Sequence, residues 1–289
     1  MNRIGYISII LILLLIPPLK YVETSSSDKK DIGIYAGPGA YQLGVTYLTQ
    51  FAQSRGFTYK LLYEDDILND ELENVKLLII PGGWAGEVDQ WGRKGYGSMS
   101  SEAIDKIREF VKDGGSYYGI CAGAYFASVN VIWEGGLFHN ELALFNGTSI
   151  GPIEEIAPWP GTNWTNVLIG SGLGINKTTV KAFYWGGPYF ESDVINFTTL
   201  EKYEINNKPA TILFNYGKGK VILTGLHHEW VNYQHPDWQK ENWDVLEKIL
   251  NTLIKEEEKD TYQDYLIPIG IILIIIMILA ILLFRLRTR

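Results

Sequence analysis

A single cysteine, Cys121, stands in 289 residues, which excludes an intramolecular disulfide in any compartment and leaves the thiol to be explained some other way. Histidine is almost as scarce, with His139, His227, His228 and His235 the whole supply of imidazole. Basic clusters are missing too: 25 Lys and Arg face 33 Asp and Glu for a net charge of -8, so nucleic acid, whose phosphates demand grouped cations, is excluded as a partner. No internal repeat or linker divides the middle of the chain. With 46% hydrophobic and 13% aromatic residues, what is there is too apolar to be disordered.

Two apolar stretches lie at the ends. Met1 to Arg3 precede an apolar run over 4–16 that stops at Pro17 and Pro18, the pattern of a secretory signal or signal-anchor over 1–23, followed by a polar linker over 24–31. The 19 uncharged residues from Leu266 to Phe284 are long enough to cross a bilayer as a helix. An acidic linker over 255–265 precedes them and a basic tail over 285–289 follows, which on the positive-inside rule puts the C-terminus in the cytoplasm. The expectation is a single-pass membrane protein with its main domain, residues 32–254, outside the cytoplasm. The ends carry +1 and +3, so residues 24–265 carry -12. Export gives meaning to four Asn-x-Thr sequons, at Asn146, Asn163, Asn176 and Asn196, as glycosylation candidates.

Within the main domain, short apolar runs alternate with helical patterns. Strands are expected over 32–35, 59–63, 75–80 and 116–120, and helices over 41–54 and 102–112, the second capped by Ser100 or Ser101. Such alternation implies α/β architecture, a parallel sheet with functional loops at the carboxyl ends of its strands. Residues 131–223 read as irregular strands and long loops laid against the first half. A core strand over 221–224 and an amphipathic helix over 237–255 follow.

Cys121 falls where the strand over 116–120 ends, between Gly119 and Gly123 and beside Ala122 and Ala124. A sharp strand-to-helix turn that holds a nucleophile needs small neighbours, and the start of the next helix favours a thiolate. Read alone, a buried cysteine is a small apolar residue; the flanking glycines shift the reading to a nucleophile. Its base has to come from the four histidines. His227 and His228 follow the strand over 221–224 directly, and Glu229 can orient an imidazole by accepting its second N–H. Either histidine suits the role. A metal site from His227, His228, Glu229 and His235 matches no zinc spacing, so no metal or cofactor is expected. Gly82 and Gly83, after the strand over 75–80, allow backbone N–H groups to approach a reacting carbonyl, with the N–H of Ala122 completing an oxyanion hole. Trp84, Tyr125, Trp185 and Trp230 lie beside these segments as candidate lining of a substrate cleft, ordinary core aromatics being the alternative.

The segments IIPGGW, FVKDGGSYYGICAGAYFAS and GKGKVILTGLHHEW resemble the strand-loop, nucleophile elbow and His-x-Glu segments of class I glutamine amidotransferase-like proteins. Within that group the chain is most similar to the biotin-protein ligase N-terminal domain family, to which LALFNGTSIGP and FYWGGPYF also correspond. The resemblance implies a flavodoxin-like, three-layer, doubly wound and mostly parallel sheet. It also implies a Cys121, His227, Glu229 triad with oxyanion donors at Gly83 and Ala122. The family usually has Pro between His and Glu, where this chain has His228. The expected activity is cysteine-dependent hydrolysis of a C–N bond through a thioester, on a small-molecule, peptide or glycan substrate. The alternative is a non-catalytic module that holds a ligand or a protein partner.

Overall fold

A computed structural model describes residues 29–89, 91–254 and 277–287. The first half alternates strands and helices as its pattern requires: β1 (Lys30–Tyr35), α1 (Gln42–Arg55), β2 (Tyr59–Leu62), α2 (Glu64–Leu68), β3 (Val75–Ile80), α3 (Ser101–Lys112), β4 (Ser116–Ile120) and α4 (Ala122–Ala127). Gly56 ends α1 in the left-handed conformation that a residue without a Cβ adopts at no steric cost. The Ser100 hydroxyl starts α3 by accepting the Ala103 N–H. The second half is strand-rich: β5 (Ser128–Trp133), β6 (Gly136–His139), β7 (Phe145–Gly151), β8 (Asn163–Ile169), β9 (Thr179–Tyr184), β10 (Tyr189–Glu191), β11 (Thr198–Tyr203), β12 (Pro209–Tyr216), β13 (Gly219–Thr224) and β14 (Leu226–His227), ending in α5 (Pro236–Ile254).

Ten strands form one sheet in the order β14-β9-β8-β11-β12-β13-β4-β3-β1-β2. From β2 to β13 the pairings are parallel, and from β13 to β14 they are antiparallel. The sheet is therefore mixed, which corrects the expectation of a mostly parallel one. The flavodoxin-type strand order occupies only the half that helices cross over. A second sheet, β10-β7-β5-β6, also went unforeseen. It takes up the glycine-rich stretch after the elbow.

Strand alternation divides the core into two layers. Leu77 and Ile79 of β3 face α1 and α5, where Leu48, Phe51, Leu246, Ile249 and Leu250 are buried. Leu78 and Ile80 face the side covered by α2, α3 and α4, with Ile67, Ile104, Ile107 and Val111. The central strands are apolar on both faces because both faces are covered.

The expected C-terminal transmembrane helix is corrected. Among the described residues no helix is long and apolar enough to cross a membrane. Within the apolar run, the described residues 277–284 are helical. Residues 266–276 lie outside the described residues, as do the signal segment over 1–23, the polar linker up to residue 28 and the acidic linker over 255–265. The single-pass membrane localisation, with the main domain outside the cytoplasm, rested on that helix and falls with it. Asn146, Asn163, Asn176 and Asn196 are all exposed, but the glycan reading depended on export.

Candidate active site

The central parallel strands end on one side of the sheet, and the chain turns there three times. After β4 the turn is at Cys121, whose φ of 50° and ψ of -103° is a strained conformation for a residue with a Cβ. Its N–H donates to the Thr224 carbonyl at the end of β13 (2.8 Å), which fastens the elbow to the strand leading to the histidines. The tightness of the turn explains its glycines: a Cβ on Gly123 would stand 2.0 Å from the Ile80 carbonyl oxygen of β3, and one on Gly119 would stand 2.7 Å from the Gly123 carbonyl oxygen.

After β13 the chain continues through Gly225 into β14, which pairs with the far strand β9 so that His227 lies opposite Phe183. His227 Nδ1 lies 2.7 Å from Glu229 Oε1, and both residues are buried. Because the carboxylate can only accept, Nδ1 carries the hydrogen and Nε2 is left for proton exchange. Nε2 is buried and has no hydrogen-bond partner. Burial works against a charge on His227, but the Glu229 carboxylate and then the Cys121 sulfur outweigh it and raise the imidazole pKa from 6.5 to about 10.

This shift carries a consequence for stability. A histidine whose pKa is higher folded than unfolded stabilises the fold fully below pH 6.5, and that contribution drains away as pH climbs through about 10. His228, also raised, acts in the same direction. The urea midpoint is therefore expected to fall between pH 7 and 10, with one pKa unit equivalent to about 1.4 kcal/mol. A His227→Gln chain should show a flatter decline; an identical one would contradict the assignment.

After β3 the turn is Pro81-Gly82-Gly83. Tyr41 N–H donates to the Gly82 carbonyl and Trp84 N–H to the Gly39 carbonyl, each at 2.9 Å. The N–H groups of Gly83 and of Ala122 donate to no acceptor among the described residues. Gly82 lies against the imidazole, since a Cβ there would come 2.5 Å from His227 Cε1. Gly83, at φ 155°, has the Gly39 carbonyl where a Cβ would point.

The structure separates the four candidate aromatics. Trp185 and Trp230 stand together at a centroid distance of 6.0 Å, and Tyr41 contacts both. Trp230 also reaches His227 and stacks on Phe183 at 4.3 Å. Tyr125 is instead a core residue whose hydroxyl donates to the Gly186 carbonyl (3.0 Å). Trp84 packs against Gly86 and Gly95, away from the others, with its Nε1 buried and unpartnered. His139 and His235 are exposed, His235 stacking on Trp238.

Several participants went unread in the sequence. The Cys121 thiol donates to the Trp185 main-chain carbonyl at 3.3 Å, a contact no side-chain pattern reveals. His228 turns away from the elbow: its Nδ1 lies 2.7 Å from Asn242 Oδ1 and its Nε2 lies 3.0 Å from Glu201 Oε2. The choice between His227 and His228 as the neighbour of Cys121 thus falls on His227.

A parallel half-sheet ending in a positive-φ cysteine turn, with a buried His–Glu pair beside it, defines a glutamine amidotransferase-like α/β domain. The model for the family described as "Biotin-protein ligase, N terminal" matches residues 30–270, and the chain belongs to that family. It is 30% identical over 208 residues to a biotin-protein ligase of Schizosaccharomyces pombe, a match covering 64% of this chain and 31% of that protein. It is 32% identical over 170 residues to an uncharacterized protein of Chlamydia muridarum, covering 55% of this chain and 62% of that one. The chain thus spans less than two thirds of either relative. Among solved structures, a putative GMP synthase subunit from Thermoplasma acidophilum aligns with a TM-score of 0.49 at 13% identity, covering 77% of this chain and 93% of that one.

Proposed function

We propose that the domain is a cysteine-dependent hydrolase of C–N bonds, with Cys121 as nucleophile, His227 as base and Glu229 as the group that orients it. The observation that carries this reading is the buried His227–Glu229 pair, its Nε2 unpartnered, beside a cysteine held at positive φ at the end of a central parallel strand. In the reaction, the Cys121 sulfur attacks an amide carbonyl carbon while the proton sits on His227 Nε2, where the raised imidazole pKa of about 10 keeps it at neutral pH, and the oxyanion meets the N–H groups of Gly83 and Ala122. The C–N bond then breaks as Nε2–H protonates the departing amine, leaving a thioester. Water, deprotonated by Nε2, attacks the thioester and returns the thiol. Ligation of biotin is not carried over, because the match covers less than a third of the biotin-protein ligase.

A second reading, a ligand-holding module without turnover, draws on the thiol's hydrogen bond to the Trp185 carbonyl rather than to His227, and on the low exposure of Cys121 and His227, 8% and 4%. Cys121→Ala separates the two. On the hydrolase reading, iodoacetamide labels the wild-type thiol and a library of amides and peptides yields a product that the variant does not form. Hydrolysis that persists in Cys121→Ala, or none on any amide, rules against the hydrolase.

A further inference from the structure

The residue that stands where the family usually has proline, His228, is completely buried, and so are Glu201, Thr211, Thr224 and Asn242 around it. The protonation of its ring follows from its neighbours. Asn242 Nδ2 donates both to the Lys181 carbonyl (2.6 Å) and to the Trp238 carbonyl (2.7 Å), so its Oδ1 is the atom that faces His228 Nδ1 and must accept. Nδ1 therefore bears a hydrogen. On the other side Nε2 meets Glu201 Oε2, a carboxylate oxygen that also accepts from Thr211 Oγ1 at 2.5 Å, so Nε2 bears a hydrogen as well. A ring that donates from both nitrogens is an imidazolium, and Glu201 is its counter-ion. Removing one partner of such a buried pair is costly because the other charge is left without compensation.

The pair is wired to the elbow. Thr211 Oγ1 is 2.7 Å from Thr224 Oγ1, which accepts the Leu226 N–H at the start of β14, and the Thr224 carbonyl accepts the Cys121 N–H. One hydrogen-bonded chain thus runs from α5 through His228, Glu201, Thr211 and Thr224 to the nucleophile's backbone. The other ionisable group acting on His228 is Glu229, next in sequence, and the buried Tyr118 hydroxyl of β4 lies in the field of both Glu229 and Glu201.

We propose that His228 is a positioning residue: a buried imidazolium, clamped between Glu201 and Asn242, that holds β14 and hence His227 in place against the Cys121 elbow. This rests on the Cys121–His227–Glu229 reading, but its test does not require an amide substrate. Nitrogen-15 NMR of the histidine side chains in the full chain at pH 7 is expected to show both ring N–H protons on His228, protected from exchange; a neutral ring with one N–H overturns the proposal. Glu201→Gln keeps the shape and removes the charge. The rate of Cys121 alkylation by iodoacetamide should then fall about tenfold at pH 7, with the acidic limb of its pH profile moved upward. Should that chain not fold, Thr211→Val is expected to move the limb in the same direction by less. A variant that melts earlier with an unmoved profile makes His228 merely structural and overturns the proposal. A wild-type chain that hydrolyses no amide, yet shows the shifted profile in Glu201→Gln, removes the hydrolase reading and leaves the positioning role standing.

Discussion

Gly123→Ala is expected to cost about 3 kcal/mol or more of folding stability, read as a lower urea midpoint at unchanged slope. The added Cβ would stand 2.0 Å from the Ile80 carbonyl oxygen and 3.0 Å from Ile80 Cγ2. Neither β3 nor α4 can yield easily. Ile80 ends a strand paired on both sides, and α4 begins at an elbow whose Cys121 N–H is bound to β13. Overpacking a closed site ordinarily costs 1–3 kcal/mol, and here the obstacle is backbone rather than a side chain that can rotate. Gly56→Ala provides the contrast. A Cβ there meets nothing within 4 Å, so only the left-handed φ of 75° is penalised and the loss should be smaller. Equal losses at the two sites would mean that the elbow is less tightly packed than its geometry states.

Gly82→Ala should leave the fold largely intact and disable the thiol. Its Cβ would sit 2.5 Å from His227 Cε1, so the imidazole has to retreat by about 1 Å to reach ordinary contact. The ring has little room: Phe183 and Trp230 flank it, and its Nδ1 is held at 2.7 Å by Glu229. A displacement of this size in a catalytic group costs on the order of 100-fold in rate. The same factor is expected in the Cys121 alkylation rate at pH 7, with the His227 resonances losing their high pKa. Unchanged reactivity would detach His227 from the thiol.

Both expectations turn on glycines that the motif exposed, and much of the first half was open to the same kind of reading. The strands over 75–80 and 116–120 lie where their largely apolar runs place them, because a strand covered on both faces needs apolar residues on both. The helix expected over 102–112 begins one residue earlier, at Ser101, since Ser100 supplies the cap. The antiparallel half was not legible. Its strands are short, and their partners are distant in the chain, so local pattern leaves the pairing undetermined. Glu201 shows why. It sits at a register shift between β11 and β12 that turns it inward next to the already buried Leu200, against the alternation a regular strand would have. A charged residue in a strand pattern reads as solvent-facing, and only the bulge reverses that.

Length and composition of the apolar run over 266–284 suggest a membrane span, because they state what a spanning helix needs. Of that run residues 277–284 are described, as helix, and among the described residues no helix has both the length and the hydropathy to cross.

By itself, the amino-acid sequence determined the elbow. A lone cysteine at the end of a buried strand, with Gly119, Ala122, Gly123 and Ala124 around it, points to a tight turn, since a Cβ on Gly123 would strike β3. It also narrowed the candidate imidazole partner of Cys121 to two adjacent histidines. Only the tertiary structure chose between them. Consecutive residues of an extended chain point to opposite sides, so the pairing of β14 with β9 sends His227 to Cys121 and His228 to Glu201 and Asn242. A register one residue different would have exchanged their places.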